Sequence, residues 1–230
     1  MSIIEAKAIY KTYQETKVPV NALNGVNLKI EEGEFTAIVG PSGSGKTTLL
    51  NMLGGLDLPT KGEVFIDGMA LKKLTSRQLT NFRLHNIGFV FQAYNLIPVL
   101  TARENTEFIL ELQKVPKKIR RQKSMELLES VGIADKAEFK PGQLSGGQQQ
   151  RVAVARALVS QPRFIIADEP TANLDSRSTN ELLEIMAAMN RKYKTTFIFS
   201  THDQRVMDKA RRIVTIDDGK IISDETFDTK

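Results

Sequence analysis

The sequence predicts an α/β fold with a mainly parallel core sheet, a small antiparallel β region and an inserted helical subdomain. Several runs are apolar on both faces and end at a polar or glycine-rich point, which is typical of strands buried in a parallel sheet. Helical patterns separate these runs. They cover residues 35–39, 87–91, 164–167 and 197–201. Because ligands of such sheets bind beyond the carboxyl ends of the strands, we expect the functional residues to follow these runs.

Two other segments predict antiparallel strands. One covers residues 64–68. The other covers residues 213–222, where Asp218-Gly219 is a typical hairpin turn between two apolar runs.

Residues from about 94 to 159 follow a mostly helical pattern that prolines interrupt. Within this segment Thr101 and Glu104 fit a capping box, in which each side chain bonds the backbone of the other at the start of a helix. We interpret the segment as the helical subdomain, inserted into a core of about 1–93 and 160–230. The whole chain, 1–230, is then a single domain.

The composition excludes several classes of protein. The chain has 230 residues, and its 32 basic and 27 acidic side chains are interspersed, so the net charge of +5 does not indicate nucleic-acid binding. Absence of cysteine excludes disulfides and thiolate metal sites. No run reaches the roughly 18 apolar residues of a membrane span, and the first residues lack the apolar core of a signal peptide. We expect a cytoplasmic protein. If it works at a membrane, another subunit must span that membrane.

The densest basic run covers residues 117–123 and precedes an amphipathic stretch at 125–128. The preferred interpretation is the solvated face of a helix. Contact with anionic lipid headgroups or with a partner is the alternative.

A phosphate-binding loop follows the first predicted core strand. Its pattern is G-x-x-x-x-G-K-[ST], in which the glycines let backbone N–H groups converge on phosphate oxygens and the next helix adds its positive end. The pattern predicts that Lys46 lies against the β- and γ-phosphates and that Thr47 binds magnesium. Thr48, the next residue of the helix, is also expected to bind the nucleotide. The loop residues are Gly40, Pro41, Ser42, Gly43, Ser44, Gly45, Lys46 and Thr47.

A second motif lies about 100 residues later, and it consists of Leu144, Ser145, Gly146, Gly147 and Gln148. Ser145 with Gln148 is itself a capping box, whose free N–H groups and partial positive charge suit a phosphate. With the phosphate loop, this LSGGQ sequence resembles the ABC (ATP-binding cassette) family of ATPases. The resemblance covers essentially the whole chain and implies one cassette that binds ATP and Mg²⁺ and hydrolyses ATP.

The resemblance also implies roles for residues at the ends of the other predicted strands. It makes Asp168 a magnesium contact and Glu169 the general base that polarises the attacking water. Gln92 contacts magnesium and the lytic water and senses the membrane partner, and His202 contacts the γ-phosphate. The strand-end positions permit these roles but do not by themselves assign them.

Three further roles come from the same resemblance. Ser145 and its neighbours would contact the γ-phosphate bound by the other subunit of a head-to-tail homodimer. Asp175 would belong to the loop that faces the dimer partner, although Ala172 stands where glycine or serine is commoner. Tyr13 would stack on adenine, and an ordinary edge-strand tyrosine is the alternative.

Within the family, residues 54–62 and 95–101 are similar to the branch of lipoprotein-releasing systems, macrolide-type efflux pumps and antimicrobial-peptide resistance. We therefore expect an ATPase that drives integral membrane permease subunits in export or extraction, from the cytoplasmic face of the membrane. The match weakens at residues 105–108, which indicates an atypical partner. The apolar run 96–100 fits a groove for a partner helix, with core packing as the alternative.

Two rival functions differ in class. The first is an ATPase module of a division-type signalling complex, which gates an extracytoplasmic hydrolase without transport. The second is a DNA-repair or chromosome-structuring ATPase, and this one is disfavoured. Such proteins need a long coiled-coil insertion, whereas only about 100 residues separate Lys46 from Ser145 and no sustained heptad pattern occurs there.

Overall fold

A computed structural model describes residues 2–14 and 19–227. Backbone packing divides the chain into two compact units, Met1–Arg83 with Thr196–Lys230, and Leu84–Thr195. The division into a core and a helical subdomain at residues 94 and 159 stays a prediction, since the two units are defined by backbone packing alone.

The first unit contains an antiparallel sheet with the strand order β2-β1-β4-β5. Apolar side chains of these strands fill one face, and Ile4, Ile9 and Ile30 are almost completely buried. Irregularities in the β1–β2 register bend this long hairpin. Its strands are β1 (Ser2–Tyr13), β2 (Val20–Glu31), β4 (Lys61–Ile66) and β5 (Met69–Ala70).

Three parallel strands of the same unit lie in the order β9-β3-β8, and β10 pairs with β9 in antiparallel fashion. Every residue of β3 and β8 is buried, as expected for strands covered on both faces. The predicted α/β class and the hairpin at Asp218-Gly219 are confirmed. These strands are β3 (Phe35–Val39), β8 (Thr196–Thr201), β9 (Arg212–Asp217) and β10 (Lys220–Thr226).

Two helices belong to the first unit, and a third contains the boundary between the units. α1 follows the phosphate loop, and α7 begins at the cap Asp203, whose carboxylate accepts the N–H of Arg205 at 2.9 Å. The helices are α1 (Lys46–Leu53), α2 (Ser76–Asn86) and α7 (Gln204–Lys209).

An aromatic cluster packs β3 against β8. The ring of Phe35 lies 5.6 Å from that of Phe197 and 4.9 Å from that of Phe199, in tilted arrangements that aromatic pairs favour. Because side chains alternate along a strand, Phe197 and Phe199 share one face. All three phenylalanines are at most 1% exposed, so the cluster excludes water from the space between β3 and β8.

Arg212, on β9, connects β2, β10 and the residue that precedes β3. Its guanidinium donates to both carboxylate oxygens of Glu34 at 2.9 Å, to both of Asp224 at 2.8 Å and to the carbonyl oxygen of Lys29 at 2.7 Å. Two carboxylates raise the pKa of Arg212, and the hydrogen bond that Arg212 donates to Asp224 is the largest cause.

The second unit consists of two parallel strands and four helices. The predicted strands at 87–91 and 164–167 are confirmed, and they pair with each other. The helix α3 contacts α4 and α5, and α5 also covers β6. Thr101 and Glu104 form the expected capping box at the start of α3. The elements are β6 (Ile87–Phe91), α3 (Ala102–Leu112), α4 (Lys117–Ser130), α5 (Gly146–Leu158), β7 (Phe164–Asp168) and α6 (Ser176–Tyr193).

The helices in the described part of the chain are too short or too polar for a bilayer, and none of them could serve as a membrane span.

The aromatic cluster predicts a large loss of stability when one ring is removed. We expect Phe199→Ala to lower the free energy of unfolding by about 3–5 kcal/mol, because the substitution leaves a cavity between β3 and β8. Urea denaturation measures the change. Ile222→Ala on β10 is the control, since Ile222 is 64% exposed and the change should cost less than about 1 kcal/mol. Similar losses in the two variants would contradict the importance of the cluster.

Candidate functional site

The phosphate loop connects β3 to α1 within the first unit. The structure confirms the predicted strand before it and the helix after it. Gly45 precedes the first residue of α1, and no side chain caps this helix start. Backbone N–H groups of the first turn have no partner within a helix, so an anion can bind them together with the positive end of the helix dipole.

The loop is closely packed, and this explains two of its glycines. A Cβ atom on Gly40 would lie 2.0 Å from the carbonyl oxygen of Ile216, and one on Gly45 would lie 2.5 Å from that of Ala22. Both neighbours are backbone atoms, so a side chain at either position would push the loop away from its support. The loop is also tied down by the N–H of Gly219, which donates to the carbonyl oxygen of Ser44 at 3.0 Å.

The chemistry of the loop fits a phosphate. Lys46 is only 9% exposed, and its ammonium donates to the carbonyl oxygens of Gly40 and Pro41 at 2.9 Å each. The hydroxyl of Ser44 is buried and has no hydrogen-bond partner among the described residues. An unpaired buried hydroxyl is costly, and a phosphate oxygen would satisfy it.

His202 follows the strand that pairs with β3. The register places Val39 beside Thr201, so the phosphate loop and His202 both leave the sheet at the same carboxyl edge. His202 is exposed there.

Lys11 lies over the ring of Tyr13 at 5.0 Å from its centroid, and the Tyr13 hydroxyl donates to Asp57 at 3.3 Å. Stacking of adenine on Tyr13 stays a prediction.

The second unit repeats this arrangement with other residues. Phe91 of β6 pairs with Asp168 of β7, so Gln92 and Glu169 leave the two strands side by side. Glu169 has a φ of 47°, a left-handed conformation that costs a non-glycine residue about 1–2 kcal/mol. Such strain occurs often at functional sites, where the surrounding structure holds the residue in place.

Hydrogen bonds hold the segment after Glu169. The side-chain amide of Asn173 donates to the carbonyl oxygen of Gln92 at 3.0 Å. The amide of Gln150, on α5, donates to the carbonyl oxygen of Pro170 at 2.6 Å. The segment between β7 and α6 is thus attached both to the residue after β6 and to α5.

Asp175 is the N-cap of α6. Its carboxylate accepts the N–H of Ser178 at 2.9 Å and the hydroxyl of Ser178 at 2.7 Å. The backbone hydrogen bond and then the side-chain hydrogen bond from Ser178 lower the pKa of Asp175.

The second motif forms the start of α5. Ser145 accepts the N–H of Gln148 at 3.3 Å, and the side chain of Gln148 accepts the N–H of Ser145 at 2.9 Å, which confirms the expected capping box. A Cβ atom on Gly146 would lie 2.8 Å from the hydroxyl of Tyr94, and one on Gly147 would lie 3.0 Å from that of Ser178. The motif therefore packs against the segment after Gln92 and the first turn of α6.

Sequence reasoning missed Arg156, which holds the segment after Gln92. Its guanidinium donates to the carbonyl oxygens of Asn95 at 2.5 Å and Tyr94 at 2.9 Å, and both of these residues have positive φ. Burial lowers the pKa of Arg156. A single cation within the apolar stretch 152–158 was the signal that could have identified it.

An apolar groove of about 340 Å³ opens in the second unit. The rings of Phe89 and Phe91 are stacked with their centroids 5.9 Å apart. Ile97 comes from the predicted apolar run, and Phe108 and Ile109 come from α3. All five of these residues line the groove.

Asn105 fixes the loop beside this groove. Its side chain accepts the N–H of Ile97 at 2.8 Å and donates to the carbonyl oxygens of Ile97, Leu100 and Thr101 at 3.0–3.1 Å. Asn105 is fully buried, whereas Val99 in the loop is 70% exposed. The run 96–100 therefore contributes one side chain to the groove and presents another to solvent.

The predicted site residues are divided between the two units. The first unit holds the phosphate loop with Thr48, Tyr13 and His202, and the second holds Gln92, the motif at 145–148, Asp168, Glu169 and Asp175. Within residues 2–14 and 19–227, no three His, Asp or Glu side chains form a group that could hold a metal ion. Magnesium in nucleotide sites commonly takes only one or two protein ligands together with phosphate oxygens, so a magnesium site does not require such a group.

A family model described as ABC transporter matches residues 23–172 of the chain. The chain is 48% identical to the macrolide export ATP-binding/permease protein MacB of Hyphomonas neptunium. The alignment spans 222 residues and covers 96% of this chain and 34% of that protein. The chain is 40% identical to the lipoprotein-releasing system ATP-binding protein LolD of Legionella pneumophila. This alignment spans 223 residues and covers 97% of this chain and 98% of that protein.

One similar solved structure is that of the ATP-binding cassette MJ0796 of Methanocaldococcus jannaschii, a dimer in a post-hydrolysis state bound to ADP and Pi. The sequence identity is 42% and the TM-score is 0.90. The likeness covers 99% of this chain and 100% of that chain.

The cap of α6 predicts a pH dependence. Because the pKa of Asp175 in the folded protein is below its ordinary value of 3.8, the cap stabilises the fold fully above that value and loses this effect as the pH falls through the lowered pKa. A carboxyl-carbon NMR titration should show Asp175 titrating below 3.8. In Ser178→Ala its pKa should rise part of the way back, because the N–H donor remains.

Asp175→Asn is the matched control, since asparagine keeps the cap but does not titrate. Its melting temperature should lose the part of the acid dependence that belongs to this carboxyl. Titration of Asp175 at its ordinary value in the unmodified protein would contradict the assignment of the cap.

Proposed function

The chain belongs to the ABC transporter family, as an ATP-binding and ATP-hydrolysing subunit of the branch that includes LolD and MacB, and we propose that it powers the export or extraction of a lipoprotein, drug or peptide through membrane partner subunits. The geometry of the phosphate loop is the observation that carries the nucleotide-binding part of this proposal. The likeness to LolD and MacB supports the transport part.

The phosphate loop binds the triphosphate of ATP. Lys46 exchanges its carbonyl partners for the β- and γ-phosphates, and the hydroxyl of Ser44 donates to a phosphate oxygen. The N–H groups at the start of α1 add further donors. Tyr13 stacks on adenine once Lys11 has moved from the face of its ring.

Hydrolysis uses residues that follow the strands. Glu169 accepts a proton from the attacking water, and Gln92 orients this water. His202 donates to the γ-phosphate. Thr47, Gln92 and Asp168 hold Mg²⁺, which supplies positive charge for the phosphate oxygens. With its left-handed backbone conformation, Glu169 does not continue the extended backbone of β7.

Two copies of the chain act together in this proposal. Ser145, Gly146, Gly147 and Gln148 at the start of α5 contact the γ-phosphate that the other copy binds, and Asp175 faces that copy. The dimeric form of the similar MJ0796 structure supports a homodimer, and the head-to-tail arrangement is part of this proposal. Binding of ATP closes the dimer, and hydrolysis opens it again.

The groove of the second unit receives a helix of the membrane partner, at the cytoplasmic face of the membrane. Phenylalanine and isoleucine side chains form most of its lining, which suits the apolar face of a short helix, and Arg156 and Ser160 add polar groups. Asn105 and Arg156 hold the loops on either side. Because Arg156 binds the segment after Gln92, a helix in the groove can influence the residue that orients the lytic water.

Substitution of the general base is the sharpest test of the hydrolytic site. We expect Glu169→Gln to reduce ATP hydrolysis by at least about 100-fold, because glutamine cannot accept the proton of the water. Binding of ATP should persist, so the variant should accumulate as a dimer when ATP and Mg²⁺ are present. Phosphate release and size-exclusion chromatography measure the two effects.

Glu184→Gln is the matched control for this test. Glu184 is exposed on α6 and is assigned no role, so its variant should hydrolyse ATP within about twofold of the unmodified protein. Turnover by Glu169→Gln at the level of this control would remove Glu169 from its proposed role.

The groove predicts a variant that separates hydrolysis from coupling. We expect Phe108→Asp to lose the membrane partner in a mild-detergent pull-down, because a carboxylate in the apolar groove disfavours a partner helix. The isolated variant should still hydrolyse ATP. Ile222→Asp, a charge on an exposed strand of the first unit, is the control and should retain the partner.

Retention of the partner by Phe108→Asp would overturn the assignment of the groove.

The identity of the partner separates two functions of the complex. Depletion of a transport subunit should cause its substrate to accumulate, whereas depletion of a signalling subunit should change the activity of an extracytoplasmic hydrolase and accumulate nothing.

A further inference from the structure

A basic corner lies where α3 gives way to α4 in the second unit. It comprises Leu112, Lys114, Lys117, Lys118 and Ile119, within eight consecutive positions of the chain. Leu112 is 50% exposed and Ile119 is 46% exposed, and the three lysines are exposed as well. Large apolar and cationic side chains are therefore exposed together along this short segment.

In the part of the chain that the structure describes, the lysines of the basic corner have no acidic partner. Within residues 2–14 and 19–227, none of the three makes an ion pair. The nearest carboxylate in the sequence, Glu111, lies 3.5 Å from Arg120, and Glu107 is shared by Arg103 and Arg120. The internal ion pairs of this region thus use other cations, and the charge of the corner remains directed at solvent.

The position of these charges is unfavourable for the helix itself. α4 starts at Lys117, and its first turn contains no acidic residue. No side chain caps the start, because Pro116 occupies the N-cap position. Cations at a helix N-terminus oppose the helix dipole, so local stability does not account for lysines there. An anionic surface outside the protein would offset this cost.

The basic corner continues from the groove assigned to the membrane partner. Phe108 lines the groove, and Leu112 lies one helical turn further along the same face of α3. A partner helix in the groove would leave its own membrane close to this end of α3. This step rests on the proposed function.

We propose that the basic corner binds the anionic headgroups of a lipid membrane. Lys114, Lys117 and Lys118 attract the headgroup phosphates, and Leu112 and Ile119 enter the boundary between headgroups and acyl chains. This contact orients the cassette at the membrane beside its partner subunit. It uses no residue of the nucleotide site.

Co-sedimentation with lipid vesicles tests the proposal in the absence of any partner. The purified chain should bind phosphatidylcholine vesicles that contain about 30% phosphatidylglycerol and should not bind pure phosphatidylcholine vesicles. Since each lysine near an anionic surface contributes roughly a fivefold gain in binding, Lys117→Glu with Lys118→Glu should weaken partitioning by at least about tenfold. Leu112→Ser with Ile119→Ser should reduce the binding that persists at about 0.5 M salt.

Lys72→Glu with Lys73→Glu is the matched control, because it makes the same change of charge at adjacent exposed lysines of the first unit. This pair should bind vesicles within about twofold of the unmodified chain. Equal losses in the two lysine pairs would reduce the effect to the net charge of +5 and overturn the proposal. Absence of binding to anionic vesicles would also overturn it, as would equal binding to neutral vesicles.

The outcome is separable from that of the proposed function. All these variants should hydrolyse ATP within about twofold of the unmodified chain, because the substituted residues lie outside the nucleotide site. If the basic-corner variants lose vesicle binding and keep normal hydrolysis, the result supports the lipid contact alone. Loss of the partner by Phe108→Asp in the pull-down supports the groove, independently of lipid binding.

Discussion

Parallel strand pairing is the constraint on which the site depends. A parallel ladder aligns the carboxyl ends of its strands, so residues far apart in sequence leave the sheet at one edge. In the first unit this pairing relates Val39 to Thr201, and in the second it relates Phe91 to Asp168. Each unit thereby presents its chemistry at one edge of its strands.

Polar side chains then fix the loops that follow the strands. Asn173, Gln150 and Arg156 all donate to backbone carbonyl oxygens: Asn173 and Arg156 reach the loop after β6, and Gln150 reaches the loop after β7. Asn105 does the same for the loop beside the groove. The loops after β6 and β7 share the hydrogen bond between Asn173 and Gln92, so moving one loop without the other costs that bond.

Much of this arrangement could be predicted from the sequence because the signals are local. A continuous apolar run identifies a buried strand, and the glycines before Lys46 and around Ser145 identify the loop and the helix start. The α/β class, the parallel strands, the hairpin at Asp218-Gly219 and both capping boxes follow from such signals.

Other features could not be predicted because they arise from tertiary contacts. The partners of Arg156 lie about 60 residues earlier in the chain, and no local pattern relates them. The groove combines side chains from β6, the following loop and α3, so its shape depends on packing. The unpaired lysines of the basic corner are similar: the dense basic run was visible, but which cations pair internally depends on the contacts of Glu107 and Glu111.

The capping box of Ser145 has a consequence for how one hydroxyl is used. A serine hydroxyl has two lone pairs and one proton, and the helix cap uses only a lone pair, since the oxygen accepts the N–H of Gln148. The proton stays available to an anionic oxygen in front of the helix. Accepting from the helix also polarises the O–H bond and makes it a better donor. The bond that starts α5 therefore leaves the proton of the Ser145 hydroxyl for a further acceptor.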